Sequence, residues 1–156
     1  MSGLRGIGMT AMGVRNDLSD LSVRLDEIAA TGLTFVELPL YDLDCVIAGR
    51  IYRPQLDAIK RITSSRSLAY TVHGPHPINF FDDVFRLPRH FDVLKASMEC
   101  AAELGAVHYV VHAGMMPLIQ LSGLEAAYER QRKWLTRGGD LAKSLGLMLC
   151  VENISG

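Results

Sequence analysis

Residues 68–80 read Leu68-Ala69-Tyr70-Thr71-Val72-His73-Gly74-Pro75-His76-Pro77-Ile78-Asn79-Phe80. From Leu68 to Val72 the residues are apolar, aromatic or β-branched, the composition of a buried strand. At His73 the character changes within one residue. Two imidazoles follow, separated by Gly-Pro, and then a second proline and an asparagine. A strand that runs out into Gly and Pro is surfacing and turning, and polar side chains at such a point sit where a ligand can reach them.

Four more runs share the apolar strand character: Gly6–Met12, Thr34–Leu40, Val107–His112 and Leu147–Asn153. Each reads as apolar on both faces, which predicts parallel strands covered on both sides. Helical patterns fill the gaps. Leu18, Leu21, Leu25, Ile28 and Ala29 repeat at helical spacing between Asp17 and Thr31, and Gly32 stops the run. Pro54 opens a second helix with Leu56, Ile59 and Ile62 on one face. A third, from Arg89 to Leu104, carries Phe91, Leu94, Met98 and Ala101. Ser122 and Glu125 read as a capping box before a fourth that runs to Leu145, with Gly138-Gly139 as a candidate break. The order β-α-β-α-β-α-β-α-β implies right-handed crossovers and a parallel sheet.

An open doubly wound sheet and a closed (β/α)₈ barrel both satisfy that order. The polar residues near the strand ends favour the barrel. Glu37, His73, His112 and Glu152 recur about 36 to 40 residues apart, one per βα unit. In a barrel such positions ring one mouth, where active sites are built. The glycines of Gly6–Gly13 match a dinucleotide-binding fingerprint only loosely, because the third spacing is off. The expected fold is therefore α/β, a (β/α)₈ TIM barrel cut after its fifth strand, with five parallel strands and four helices. Residues 1–156 form a single domain, the N-terminal portion of the barrel. Eight strands need about 250 residues, so a fragment is expected. A homo-oligomer, a dimer of half-barrels, is the other way to cover the open edges.

The 156 residues carry a net charge of −1, with 49% hydrophobic and 21% charged residues. Nucleic-acid binders usually show a basic excess, so a nucleic-acid partner is disfavoured. The basic run Arg130, Arg132, Lys133 and Arg137 lies in a helical stretch and reads as a solvated face. Cys45, Cys100 and Cys150 have no C-x-x-C spacing and read as free thiols in a reducing compartment. No segment has the length of a membrane span or the form of a signal peptide, which makes the cytoplasm the expected location.

His73, His112 and Glu152 bring two imidazoles and a carboxylate to neighbouring strand ends. That mixture suits a divalent ion such as Zn²⁺, Mn²⁺ or Fe²⁺ better than Mg²⁺ or Ca²⁺. An unpaired carboxylate in an apolar strand is expensive, so Glu37 and Glu152 each need a partner. Glu37 is a candidate for substrate binding or for completing the shell. His76 and Asn79, on the loop after the third strand, are candidates for hydrogen bonds to a hydroxylated substrate. His108, at the start of its strand, and His90, at a helix start, are set aside.

The segments GLTFVELP, YTVHGPHPINF, VVHAG and LCVENISG resemble the xylose isomerase-like TIM-barrel superfamily, which includes sugar-phosphate isomerases and epimerases and the endonuclease IV family. The order and spacing of H-x-P…N, H-x-G and E-N-x-x-G are most similar to endonuclease IV. The resemblance implies metal binding by His73, His112 and Glu152, with Zn or Mn as the ion, and further ligands from strands six to eight. It implies a metal-dependent sugar or sugar-phosphate isomerase or epimerase acting on a small carbohydrate, with Glu152 as the catalytic carboxylate. A zinc-dependent phosphodiesterase acting on abasic DNA is the alternative, and a barrel that serves only as an interaction module is a third.

Overall fold

The computed structural model describes residues 6–116 and 123–153. Its elements are β1 (Gly8–Thr10), α1 (Leu21–Ala30), β2 (Phe35–Pro39), β3 (Val46–Ile47), β4 (Arg50–Ile51), α2 (Arg53–Thr63), β5 (Ala69–His73), α3 (Leu87–Glu103), β6 (His108–His112), α4 (Leu124–Ser144) and β7 (Met148–Glu152). β1, β2, β5, β6 and β7 form one parallel sheet in that order. Strand order follows chain order with no reversal, as in a barrel; a doubly wound sheet reverses at a switch point.

Cover on the sheet is one-sided, which corrects the expectation of strands buried on both faces. Val36, Leu38, Tyr70, Val72, Tyr109 and Val111 are buried in one core with Leu25 and Ile28 of α1, Leu56 and Ile59 of α2, and Leu94 and Met98 of α3. The alternate residues Glu37, Thr71, His108 and His112 stay only partly covered. Side chains alternate along a strand, so one face packs on helices and the other turns to the barrel interior. The sheet with its four helices is thus the arrangement of the first four βα units and the fifth strand of a (β/α)₈ barrel.

Several boundaries moved for local reasons. β1 is shorter than Gly6–Met12, because the Met12 N–H turns back onto the Thr10 carbonyl (2.9 Å) and Gly13 takes a φ of 73°. α1 starts at Leu21 because the carboxylates of Asp17 and Asp20 accept the Ser19 and Arg15 N–H groups, holding a turn there. The hairpin β3–β4 was not anticipated; Ala48 and Gly49, both at positive φ, make its two-residue loop. α4 runs unbroken through Gly138-Gly139. Gly138 is buried, and a Cβ there would lie 3.0 Å from Leu94 Cδ2, so the glycine lets α4 lie close on α3. Ser122 of the expected capping box lies outside the described residues.

Gly74 has a packing reason beyond the turn. Tyr109 is fully buried, and its hydroxyl shares a 2.5 Å hydrogen bond with Ser97. A Cβ at Gly74 would come within 2.6 Å of the Tyr109 ring carbon that bears the hydroxyl. Gly74→Ala is expected to destabilise the fold by about 1–3 kcal/mol. Urea denaturation should show a lower midpoint at an unchanged slope, and an unchanged midpoint would refute the close-packing account.

Candidate active site at the strand ends

Backbone hydrogen bonds past the ends of the strands fix the floor of the site. The Leu40 N–H donates to the His73 carbonyl (3.0 Å), the Gly74 N–H to Val110 (2.8 Å) and the Ala113 N–H to Glu152 (2.8 Å). These bonds place Tyr41, His73, His112 and Glu152 at one mouth. The parallel register puts His112 opposite Glu152.

His73 is 8% exposed. Its Nδ1 lies 2.9 Å from the Gly74 carbonyl, an acceptor only, so this nitrogen carries the hydrogen. The neutral ring then has a bare lone pair at Nε2, and that atom faces Glu152 Oε2 at 3.2 Å. His112 Nε2 is 3.7 Å from the same oxygen. Two acceptors pointing at each other are satisfied by a second proton on His73 or by a cation they share. Atoms bound to one Zn²⁺-sized ion at about 2.0–2.2 Å each stand roughly 3–3.5 Å apart, so the donor set fits a divalent transition ion held by His73, His112 and Glu152.

His76 completes a ring cluster. It stacks on His112, with centroids 4.7 Å apart at 11°, and on Tyr41 at 3.9 Å and 28°. His73 stands edge-on to all three, at 5.5 Å from Tyr41, 5.1 Å from His76 and 4.8 Å from His112. One ring nitrogen from each of the three histidines lies within 4.8 Å of the other two. Burial, followed by the neighbouring imidazoles of His112 and His73, holds the His76 pKa below its ordinary value, which favours the uncharged ring. Burial raises Tyr41 above the usual phenol range, with the carboxylates of Asp42, Glu37 and Glu152 adding to it.

The other two sequence candidates stand apart from this cluster. Glu37 accepts from Thr10 Oγ1 at 2.8 Å. The register places it level with Thr71 and His108, two residues deeper than His73. These residues line a separate cavity of about 360 Å³. Asn79 ties two loops together: its Nδ2 donates to the Met115 carbonyl (2.8 Å) and its Oδ1 accepts the Phe81 N–H (3.1 Å). His90 braces the same loop, accepting the Asn79 N–H and pairing with Asp82 at 2.9 Å.

Sequence reasoning missed Tyr41 and set His108 aside. Tyr41 lies two residues past the end of β2, and nothing in ELPLYD marks where that strand ends. His108 shares a face with His112 by simple alternation, a signal that was present.

The match to the family model described as xylose isomerase-like TIM barrel covers residues 25–156, and the chain belongs to this family. No curated protein matches. Among solved structures, a D-tagatose 3-epimerase-like protein superposes with a TM-score of 0.75 at 16% identity, over 97% of this chain and 54% of its own. D-psicose 3-epimerase from Clostridium cellulolyticum gives 0.73 at 12% identity, over 94% and 51%. Endonuclease IV from Thermus thermophilus gives 0.58 at 18% identity, over 97% and 52%. The chain therefore spans about half the length of the structures it resembles. At these identities the likeness establishes the fold. Among the described residues no helix is long and apolar enough to cross a membrane.

The hydrogen bond from His90 holds the Asp82 carboxyl below its ordinary value, with a smaller pull from the Asp83 N–H and Arg86. A depressed carboxyl stabilises the fold above its unfolded value and loses that contribution as pH falls through the lowered one. Asp82→Asn should flatten the acid limb of a stability-versus-pH curve below about pH 4. An unaltered limb would show that the brace contributes nothing.

Proposed function

We propose that the protein is a metal-dependent sugar or sugar-phosphate isomerase or epimerase. The observation that carries this is the pair of facing acceptors, His73 Nε2 and Glu152 Oε2, joined by His112 at the strand-end mouth. His73, His112 and Glu152 would hold the ion. When bound, it supplies polarisation of adjacent substrate oxygens.

The chain's own groups do the rest. Glu152 has an exposed side chain at the mouth and serves as the acceptor of a proton from the carbon beside the substrate carbonyl. His73 keeps one orientation through its Gly74 bond. Glu37, deeper on the same face, is offered to substrate hydroxyls, as is the mouth-facing edge of His76. Asn79 supports the loop that carries His76. The second acid/base group would come from the remaining strands of a complete barrel. Neighbours named as sugar epimerases support the substrate class.

The phosphodiesterase reading has one observation behind it, the imidazole-rich donor set, which suits zinc. The basic run on α4 does not support a phosphate-binding face. Arg132 pairs with Glu129 at 2.8 Å, and the Arg137 guanidinium lies 4.0 Å from the centre of the Phe91 ring.

The test is deuterium exchange. Purified protein with Mn²⁺ or Zn²⁺ is given ketohexoses or their phosphates in D₂O, and label at the carbon beside the carbonyl is followed by NMR. Exchange is expected, with a fall of about 10²–10⁴-fold in Glu152→Gln. Cleavage of abasic DNA with no exchange on any sugar would overturn the reading.

A further inference from the structure

We infer that a row of stacked rings, Tyr41 on His76 and His76 on His112, sets the plane of the His112 imidazole, which makes His76 and Tyr41 positioning residues of the ion site. This rests on the metal reading given above and places His76 beside the ligands, not among them.

The ring planes of His76 and His112 are 11° from parallel, with centroids 4.7 Å apart. The lone pair of a ring nitrogen lies in the plane of its ring. Lone pairs of two stacked imidazoles therefore run side by side and do not meet at one ion, so His76 is no ligand of the ion that His112 holds. A parallel neighbour does something else. It resists rotation, because turning either ring about its Cβ–Cγ bond drives an edge into the face of the other.

His112 depends on that restraint. The torsion about this bond is broad in histidine, so no rotamer fixes the ring plane. Ligand histidines are usually oriented by a hydrogen bond from the nitrogen that does not bind metal. His73 has such a bond, from Nδ1 to the Gly74 carbonyl at 2.9 Å. Among the described residues His112 has none: Glu152 Oε2 stands 3.7 Å from its Nε2, beyond hydrogen-bond reach. Aromatic contacts take over. His76 meets the His112 ring face-on, and His73 meets it edge-on, at 4.8 Å and 80°. Two rings at nearly right angles to each other bound the third.

The brace is itself held. His76 lies between Pro75 and Pro77, whose rings fix their own φ, and Pro77 also confines the backbone of His76. The Ile78 N–H closes the turn onto the Pro75 carbonyl (3.3 Å), and the Ile78 side chain is 2% exposed. Tyr41 sits between two bonded amides: the Leu40 N–H donates to the His73 carbonyl and the Asp42 N–H to the Pro39 carbonyl, each at 3.0 Å. Its ring lies on His76 at 3.9 Å and 28°. The row thus links the loops after β2 and β5 to the last residue of β6.

The experiment measures Zn²⁺ affinity by calorimetry on wild type, His76→Ala, His76→Phe, Tyr41→Leu, Tyr41→Phe and His73→Ala. Motion of the His112 ring is read in the metal-free protein by NMR relaxation of ¹³C-labelled histidine. His76→Ala should weaken Zn²⁺ about tenfold and free the His112 ring. His76→Phe, which has a flat ring and no nitrogen, should bind Zn²⁺ nearly as wild type does and keep the ring still. Tyr41→Leu should weaken Zn²⁺, and Tyr41→Phe should not. His76 is exposed and loop-borne, so its variants should retain the wild-type melting temperature. If His76→Phe binds Zn²⁺ as weakly as His76→Ala, the site uses a nitrogen of His76 and the stacking account fails. If His73→Ala loses the ion while His76→Ala keeps wild-type affinity and a still His112 ring, the account also fails and the metal site stands. If wild type binds no Zn²⁺, the metal reading fails and this inference with it.

Discussion

The mouth depends on the parallel ladder that joins β5, β6 and β7. In that ladder His73 pairs with Val110, and His112 with Glu152. Each strand passes its last backbone bond to the next, and the residue that follows is released at a set height. Because the bonds of a parallel ladder are evenly spaced, a slip of one residue would turn every side chain to the opposite face. His73, His112 and Glu152 would then point into the helical layer, where a charge has no partner. The hydrophobic face against α1, α2 and α3 forbids that slip, so the apolar core protects the polar site.

The same ladder explains why the interior has levels. Glu37 belongs with Thr10, Thr71 and His108, below the histidine cluster. His73 stands between this level and that of His112 and Glu152. A polar residue on each strand is therefore not a ring at one height. It is a staircase, as the stagger of strands in a barrel requires.

Around the mouth, the loops are tied rather than free. Asn79 bridges the loops after β5 and β6, His90 and Asp82 brace the first of them, and Gln131 of α4 donates to the Ala113 carbonyl beside His112. Gly74 leaves space for Tyr109, whose buried hydroxyl needs Ser97. Packing behind the sheet and chemistry in front of it thus meet at one dipeptide, His73-Gly74. Rigid support of this kind is what a site needs to hold donors within a few tenths of an ångström.

Much of this was legible in the chain itself. Alternating strand and helix patterns, with one polar residue on each of four strands, pointed to the βα order, the barrel class and the pairing of His73 with His112 and Glu152. Those features are local and periodic, and the physics that reads them is the same 3.6- and 2-residue repeat that builds the elements. Register and depth were not legible. Tyr41 reaches His76 only because β2 and β5 end level, at Pro39 and His73, Glu37 falls a level below the cluster, and Asn79 turns to a second loop. Each is a long-range relation between segments some thirty or more residues apart, and no window of sequence contains it. The sequence by itself determined which imidazoles and carboxylates stand near the strand ends. Tertiary structure alone decided which of them meet, because meeting is set by the stagger between strands and not by the strands themselves.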